Sequence, residues 1–375
     1  MIFNDFKGKK ISSLGLGCMR LPHFERYEDI DIDAVKEMVA YAIENGVNYF
    51  DTAWMYHNGK SEPVMGEVLS EYDRESFFLA SKFPGHEASC VDRVEEVFEE
   101  QLRRCKVDYF DFYLFHNVCE MDIEQYLDPK YRIFDYLIEQ KKNGRIEHLG
   151  FSVHATQETF ERFLDAYGEY MEFAQIQLNW LDFDFQNAKA KIEVLNKRNI
   201  PIWVMEPLRG GKLCDLADCY REKLEKLQPD RNMVEWAFRF LQSVEGVTVT
   251  LSGMSNFEQL KENIEIFSAY KPTNQQEREV LFDIANEMTA KKTLACTSCR
   301  YCTDHCPMDL DIPRIIELYN EHIYTGGGFI APMALGALDE SKKPTACIGC
   351  RACEDVCPQN IKISEMMSDF GEKFK

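Results

Sequence analysis

Long apolar runs are missing from this sequence. No stretch approaches the roughly 20 consecutive apolar residues that a helix needs to span a bilayer, so we expect no membrane segment. The opening residues, MIFNDFKGKK, lack the apolar core of a secretory signal peptide, so we expect no secretory leader either. Low-complexity segments are also absent. Together with an ordinary apolar content of 45%, these absences favour a globular protein.

Basic residues are also fewer than acidic ones. Lys and Arg number 43 against 64 Asp and Glu, which gives a formal net charge of −21. Residues 291–375 contribute only −2, so residues 1–290 carry −19. A surface this acidic repels nucleic acids and anionic membranes, and we therefore expect neither as a partner. It would attract a basic redox partner, although solubility is the simpler explanation.

Cysteine, by contrast, is abundant and regularly spaced. Eight of the 14 cysteines form two copies of the pattern C-x2-C-x2-C-x3-C-P, at Cys296, Cys299, Cys302 and Cys306 and again at Cys347, Cys350, Cys353 and Cys357. A chain wraps a [4Fe–4S] cluster with this spacing, and the repetition predicts two clusters. Disulfides and zinc are the alternatives, but zinc sites rarely repeat this pattern.

The fourth cysteine of each copy is expected to cross over, because in two-cluster ferredoxins that residue ligates the other cluster. The predicted ligand sets are Cys296, Cys299 and Cys302 with Cys357, and Cys347, Cys350 and Cys353 with Cys306. The other six cysteines are Cys18, Cys90, Cys105, Cys119, Cys214 and Cys219. We expect these to be free thiols, which fits a reducing cytoplasm.

Residues 1–290 alternate short apolar runs with amphipathic helical patterns. The candidate strands are Ser13–Gly17, Val47–Asp51, Phe77–Ser81, Tyr109–Phe115, His148–Ser152, Phe173–Gln177, Pro201–Met205 and Val247–Leu251. A helical pattern follows each of them. Eight strands that are each followed by a helix predict an α/β fold, the closed parallel (β/α)8 TIM barrel. The leading FNDFKGKKIS predicts a short hairpin that closes the barrel floor.

The chain is predicted to have two domains. A further helical pattern covers residues 274–289, and the cysteines begin soon after it, so we place a boundary near Ala290. The barrel domain is then residues 1–290, and the iron–sulfur domain is residues 291–375.

The second domain is predicted to be small and mainly α-helical. The 40 residues between Cys306 and Cys347 exceed what a compact bacterial ferredoxin uses. Helical patterns cover Ile312–His322 and Ile363–Phe370. These features favour a helical ferredoxin-like module over a small β-rich one.

Four polar residues fall at or just beyond the ends of the second, third and fourth predicted strands: Asp51, Tyr56, Lys82 and His116. Barrel enzymes keep their chemistry at this face. Tyrosine alone is a poor proton donor, since its pKa lies near ~10. A nearby ammonium lowers that pKa, a carboxylate keeps the ammonium charged, and a histidine orients a carbonyl oxygen. Each residue alone has a structural explanation, but together they suit protonation of a C=O group while hydride reaches its carbon.

At these residues the sequence resembles the aldo-keto reductase family. The resemblance covers about residues 1–270 and rests on segments that include GLGCMRLP, GVNYFDTAWMY, FLASKF, DYFDFYLFH and VMEPLRGGKL. It implies an NAD(P)-dependent oxidoreductase that interconverts a small carbonyl compound and its alcohol. By that resemblance Tyr56 is the general acid, Lys82 and Asp51 tune it, and His116 orients the carbonyl. The whole chain looks like the aldo-keto reductases that carry a C-terminal ferredoxin domain.

The resemblance also implies a nucleotide site. Its residues would be Ser152, Gln175, Met205, Leu208, Arg209, Gly210, Ser252, Gly253, Met254, Gln259 and Asn263. The segment from Leu208 to Gly210 resembles the loop that clasps the diphosphate, where Arg209 would be an anion ligand. Gly253 and Gln259 stand where the family usually has the Lys and Arg for the 2′-phosphate. The choice between NADP and NAD therefore stays open.

Two positions depart from the family pattern. Val153 replaces the usual Asn, and Met205 replaces the aromatic residue that stacks on nicotinamide in much of the family. A thioether covers a ring face less specifically than an aromatic residue does. The predicted pocket wall consists of Trp54, Met55, Phe115 and Trp180.

Three functional hypotheses relate the barrel domain to the iron–sulfur domain. In the first, the barrel reduces a carbonyl or oxidises an alcohol with NADP or NAD, and the clusters either link it to an external electron carrier or sense redox state. In the second, the clusters feed an unidentified cofactor at the barrel mouth; a flavin is the usual bridge, but the sequence contains no flavin fingerprint. In the third, the protein is a non-catalytic electron-transfer or redox-regulatory protein whose barrel only binds nucleotide or a partner. The four polar residues favour the first.

Overall fold

A closed parallel β-barrel forms the first part of the computed structural model, which describes residues 1–85, 87–290, 293–296 and 299–374. The barrel strands are β3 Leu14–Gly17, β4 Tyr49–Asp51, β5 Phe78–Phe83, β6 Phe110–Val118, β7 Ile146–Val153, β8 Ala174–Gln177, β9 Ile202–Met205 and β10 Val247–Ser252. Each pairs in parallel with the next along the chain, and β10 closes the ring on β3. This arrangement confirms the predicted (β/α)8 barrel and places the carboxyl ends of the strands at one face.

Helices alternate with these strands and continue beyond them. Their bounds are α1 Ile32–Glu44, α2 Ser61–Leu69, α3 Val94–Cys105, α4 Ile123–Leu127, α5 Ile133–Lys142, α6 Gln157–Tyr167, α7 Asp182–Phe185, α8 Ala188–Lys197, α9 Asp218–Glu225, α10 Met233–Gln242, α11 Phe257–Ile266, α12 Gln275–Ala290, α13 Ile312–Thr325, α14 Ile330–Gly336, α15 Ala352–Asp355 and α16 Ile363–Lys373. Among the described helices, none combines the length and apolarity that a membrane crossing requires.

The predicted N-terminal hairpin is present. Strand β1, Phe3–Phe6, pairs antiparallel with β2, Lys9–Ser12, through a turn in which Lys7 and Gly8 have positive φ. Phe6 is buried, and its ring centroid lies 5.2 Å from that of Trp203 and 5.6 Å from that of Phe112. The hairpin thus packs its inward face against the aromatic interior of the barrel, because barrel interiors are filled by side chains.

The chain divides into two compact units, Met1–Phe282 and Asp283–Lys375. Residues 291 and 292, where the predicted second domain begins, lie outside the described residues. The second unit has its own apolar core, in which side chains of α13, α14 and α16 meet. Its helices agree with the predicted mainly α-helical tail.

Helix α2 follows the loop that carries Tyr56, and it crosses the end of α3 at a glycine. A Cβ on Gly66 would stand 2.3 Å from the carbonyl oxygen of Arg104 and 2.7 Å from the Cα of Cys105. Because both groups belong to the backbone, neither can turn aside. Only a residue without a side chain lets the two helices approach this closely.

We expect Gly66→Ala to lower the free energy of unfolding of the barrel by about 1–3 kcal/mol, since overpacking at a helix contact forces backbone shifts. Urea unfolding followed by tryptophan fluorescence measures this, because Trp54, Trp180, Trp203 and Trp236 all lie in the first unit. Glu67→Ala, at an exposed site on the same helix, is the matched control. Equal stability of the two variants would contradict the close contact.

Candidate functional site

Three of the predicted polar residues lie at the carboxyl ends of neighbouring strands. Asp51 ends β4, Lys82 lies near the end of β5, and His116 lies near the end of β6. The ammonium of Lys82 donates to Asp51 Oδ1 at 2.5 Å and to the carbonyl of Thr52 at 2.8 Å. Lys82 is fully buried and Asp51 is 2% exposed. A charge so completely desolvated requires such a partner, and the strand order supplies it.

Tyr56 reaches this pair from the loop between β4 and α2. Its hydroxyl lies 3.3 Å from Lys82 Nζ. The loop turns sharply here, since His57, Asn58 and Gly59 all have positive φ. His57 fixes the turn, because its Nε2 accepts the N–H of Leu21 at 3.0 Å and its Nδ1 meets the carbonyl of Tyr27 at 2.5 Å.

The electrostatics differ in one respect from the sequence-based expectation. Burial raises the pKa of Tyr56, and the Lys82 ammonium lowers it by less than burial raises it. Burial alone would lower the pKa of Lys82, but the Asp51 carboxylate raises it above its ordinary value. The structure therefore holds a charged lysine beside a protonated phenol, and the net pKa of Tyr56 is higher, not lower, than that of free tyrosine.

A buried polar network supports Lys82 from behind. Gln101 donates from Nε2 to the carbonyl of Lys82 at 3.0 Å and to Glu62 Oε1 at 2.6 Å. Ser81 also donates to Glu62 Oε1, at 2.7 Å. Burial raises the pKa of the Glu62 carboxyl. Sequence analysis missed these residues, because a Glu and a Gln on two amphipathic helices look like ordinary solvent-facing positions.

His116 is held through its backbone. The Tyr126 hydroxyl donates to the His116 carbonyl at 2.6 Å and accepts from the N–H of Gly85 at 3.1 Å. The imidazole lies edge-on to the Tyr56 ring, with 6.0 Å between ring centroids. The structure thus brings all four predicted polar residues together.

A cavity of about 430 Å³ opens beside this group at the same face of the barrel. Most of the predicted nucleotide residues line it together with Asp51 and Tyr56: Gln175, Met205, Leu208, Gly210, Ser252, Gly253, Met254, Gln259 and Asn263. Two of these lining residues are linked, since Asn263 Nδ2 donates to Ser252 Oγ at 3.0 Å. Asn256 caps the N-terminus of α11 by accepting the N–H of Gln259.

Two predicted nucleotide residues lie outside the cavity wall. Ser152 Oγ accepts the N–H of Asn117 at 2.8 Å. Arg209 is 6% exposed, and its Nε donates to both carboxylate oxygens of Asp182 at 3.0 Å. Arg209, which we expected to bind the anionic diphosphate, is therefore paired with the carboxylate of Asp182.

The cavity wall also contains charged residues that the sequence analysis missed: Arg20, Glu206 and Glu262. Arg20 could have been predicted, because it follows the first barrel strand closely and therefore lies at the carboxyl face. Glu262 gave no such signal, since it reads as an ordinary residue of an amphipathic helix.

In the second unit, four thiols surround a smaller cavity. Cys306, Cys347, Cys350 and Cys353 all line it. Burial raises the pKa of Cys353 to about 11, and the nearby thiols of Cys347 and Cys306 add to the rise. Each iron of a cubic cluster takes its own thiolate, so ligands spread around a cavity fit such a cluster. Among the described residues, no three Cys, His, Asp or Glu side chains are placed to share a single metal ion.

The first cysteine copy is described only in part, since Thr297 and Ser298 lie outside the described residues. Burial raises the pKa of Cys302, with further contributions from the neighbouring Cys296 and Cys299 thiols. Cys296 and Cys357 both pack against the apolar core of the second unit.

Comparison with known proteins gives two family matches. The model of the aldo/keto reductase family matches residues 13–280, and that of a 4Fe-4S dicluster domain matches residues 295–361. An uncharacterized oxidoreductase of Bacillus subtilis, YqkF, is 25% identical over 71% of this chain and 90% of its own length. An aldo-keto reductase of Gibberella moniliformis is 23% identical over 73% of this chain and 96% of its own.

Solved structures show the same fold. The aldo-keto reductase AKR11C1 of Bacillus halodurans, in its holo form, superposes with a TM-score of 0.62 at 22% identity, over 76% of this chain and 96% of that one. An aldo/keto reductase of Brucella melitensis gives 0.56 at 21% identity, over 76% and 99%. The chain is therefore an oxidoreductase of the aldo/keto reductase family that carries a 4Fe-4S dicluster domain at its C-terminal end.

Proposed function

We propose that the protein interconverts carbonyl compounds and alcohols with NAD(P), and that Tyr56 is the general acid. The observation that carries this proposal is the contact of one buried ammonium, Lys82 Nζ, with both Asp51 and Tyr56 beside a cavity at the carboxyl face of the barrel. Structural lysines have little reason to be fully buried next to a phenol, whereas proton-transfer sites commonly hold perturbed groups in a cleft.

In the proposed reduction each of these residues has a separate role. Bound nicotinamide would supply the hydride to the carbonyl carbon. The Tyr56 hydroxyl gives its proton to the carbonyl oxygen, so that hydride and proton together complete the alcohol. Lys82 stabilises the phenolate that remains, and Asp51 keeps Lys82 charged. His116 orients the carbonyl oxygen.

The cavity offers a place for the nucleotide. We assign Gln175 and Met205 to the nicotinamide end, together with Ser152, which pairs with Gln175 on the neighbouring strand. Leu208 and Gly210 are assigned to the diphosphate. Five residues would hold the adenosine end: Ser252, Gly253, Met254, Gln259 and Asn263. Backbone N–H groups at the start of α11 favour an anion there. The cavity residues fit NAD and NADP alike.

We further propose that residues 291–375 hold two [4Fe–4S] clusters in the crossed ligand sets and that residues 1–290 form the reductase. The clusters would supply one-electron transfer, which links the protein to an external electron carrier. A nicotinamide moves two electrons as hydride, so the two halves need not exchange electrons directly. Cluster chemistry and reduced thiols both suit the cytoplasm.

Anaerobic reconstitution followed by nucleotide titration tests the proposal. We expect the purified chain to bind NADH or NADPH and to oxidise it in the presence of an aldehyde or ketone from a small panel, measured as loss of absorbance at the nicotinamide band. Reducible clusters with no nucleotide binding would instead favour the electron-transfer hypothesis. A flavin spectrum after anaerobic purification would favour an additional cofactor at the barrel mouth.

A further inference from the structure

The segments that lead into the two cysteine copies each contact a helix that begins later in the chain. Helix α13 begins six residues after Cys306, and α16 begins six residues after Cys357. The ninth residue of α13 is Asn320, and the ninth residue of α16 is Gly371. Because these two residues occupy equivalent positions, their contacts can be compared directly between the copies.

In the first copy the contact is made by a side chain. Asn320 Oδ1 accepts the N–H of Leu294 at 2.7 Å, and Asn320 Nδ2 donates to the carbonyl of Leu294 at 2.9 Å. That carbonyl also accepts the N–H of Cys296 at 2.8 Å. One side-chain amide thus satisfies both backbone polar groups of Leu294, two residues before the first cysteine. It therefore fixes the peptide to which Cys296 is hydrogen-bonded.

In the second copy the helix backbone approaches the incoming segment directly. Gly371 is buried, and a Cβ built on it would stand 3.2 Å from Cγ2 of Thr345 and 3.6 Å from the backbone nitrogen of Thr345. Thr345 lies two residues before Cys347, in the short turn Pro344–Ala346. The carbonyl of Pro344 accepts the N–H of Cys347 at 3.1 Å. A large side chain at position 371 would therefore displace the turn that holds Cys347.

Both helices are packed within the second unit. Ile316 of α13 and Met367 of α16 are buried in its apolar core. The hydroxyl of Tyr319, next to Asn320, donates to Asp369 Oδ2 of α16 at 2.9 Å, so the two helices are also joined beside these contacts. The segments that precede the cysteines are therefore held against a close-packed core, which deforms little.

We propose that Asn320 and Gly371 are positioning residues that fix the first thiolate ligand of each cluster, Cys296 and Cys347. This inference rests on the proposed pair of [4Fe–4S] clusters. The two cysteines belong to different clusters whether or not the fourth cysteines cross over. Residues behind a metal ligand orient it, and their loss typically lowers metal affinity by roughly tenfold to a hundredfold. Asn320 acts through hydrogen bonds, whereas Gly371 acts through close packing.

Release of iron from the full anaerobic chain to the chelator ferrozine tests the role of Asn320. We expect Asn320→Leu to release about four of the roughly eight irons tenfold to a hundredfold faster than the unaltered protein, and the others at the unaltered rate. Asn320→Asp keeps the acceptor for the Leu294 N–H but loses the donor, so it should release the same four irons at an intermediate rate. Glu317→Leu, at an exposed site on the same helix, is the matched control.

Gly371→Leu tests the second contact in the same assay. Leucine favours a helix but cannot fit against Thr345, so about four irons should again leave roughly tenfold faster. Glu372→Leu, at the exposed neighbouring position, is the matched control and should behave as the unaltered protein. The double variant Asn320→Leu with Gly371→Leu should release all of the roughly eight irons faster, because the two residues act on different clusters.

The outcomes separate this inference from the proposed clusters. Unchanged iron release in either single variant, while the unaltered chain binds about eight irons, would overturn the role of that residue and leave the clusters standing. Faster release of all the irons in Asn320→Leu would also overturn its role, since that pattern indicates a general loosening of the second unit. Failure of the unaltered chain to bind iron would overturn the proposed clusters themselves and this inference with them.

Discussion

Tyr56→Phe should lower kcat for carbonyl reduction by roughly a hundredfold to ten-thousandfold, the range that general acid catalysis contributes. The substitution removes one oxygen and leaves the ring that packs edge-on to His116. Nucleotide affinity should stay within about twofold, because the change removes a proton donor and no proposed nucleotide contact. Steady-state kinetics at saturating nucleotide, with binding measured separately, distinguishes the two effects.

The raised pKa of Tyr56 also predicts how the rate of carbonyl reduction depends on pH. Because burial raises the pKa of Tyr56 above its ordinary value, the phenol stays protonated through neutral pH. Reduction by the unaltered protein should therefore be flat across neutral pH and fall only in strongly alkaline solution. The residual activity of Tyr56→Phe should lack that alkaline fall. Tyr72→Phe, outside the site, is the control, and full turnover in Tyr56→Phe would remove the tyrosine from the mechanism.

Cys306→Ala should reduce the iron content from about eight to about four atoms per chain, because each [4Fe–4S] cluster holds four irons and one ligand set is broken. The structure places Cys306 around the same cavity as Cys350. We therefore expect the double variant Cys306→Ala with Cys350→Ala to keep about four irons, since both changes disable one cluster.

A second double variant tests the crossed assignment. Cys306→Ala with Cys299→Ala should lose nearly all iron, because the two residues belong to different predicted sets. If each copy instead held its own cluster, this pair would keep about four irons and the pair with Cys350 would lose nearly all. Iron analysis after anaerobic reconstitution gives the answer, with Cys219→Ala, outside both copies, as the control.

The barrel could be predicted because its signals are local. Runs such as FDFYLF on β6 are apolar enough to indicate a buried strand, and the turns between elements are marked by Asn and Gly. The four polar residues could be predicted because strand ends meet at one face whatever the loops do. The short helices α4 and α9 were not predicted, because they lie within long loops that carry no sustained apolar period.

The details of the site depended on packing that the sequence does not show. Whether Lys82 or burial dominates the pKa of Tyr56 depends on how completely the phenol is desolvated. Whether Arg209 or Arg20 faces the cavity depends on Asp182, because Asp182 binds the guanidinium of Arg209. Asp182 lies 27 positions before Arg209 in the chain. Pairings of this kind become visible only after the fold has brought distant segments together.

The loop that carries Tyr56 also carries its own optical probe. Trp54 is half-buried, and the guanidinium of Arg104 lies 3.7 Å above its ring. The other tryptophans, Trp180, Trp203 and Trp236, are at most 1% exposed. A neutral collisional quencher such as acrylamide would thus quench the fluorescence of Trp54 selectively. Any change in the exposure of Trp54 when the cavity fills could then be followed in solution, without a label, as a change in quenching of this one indole.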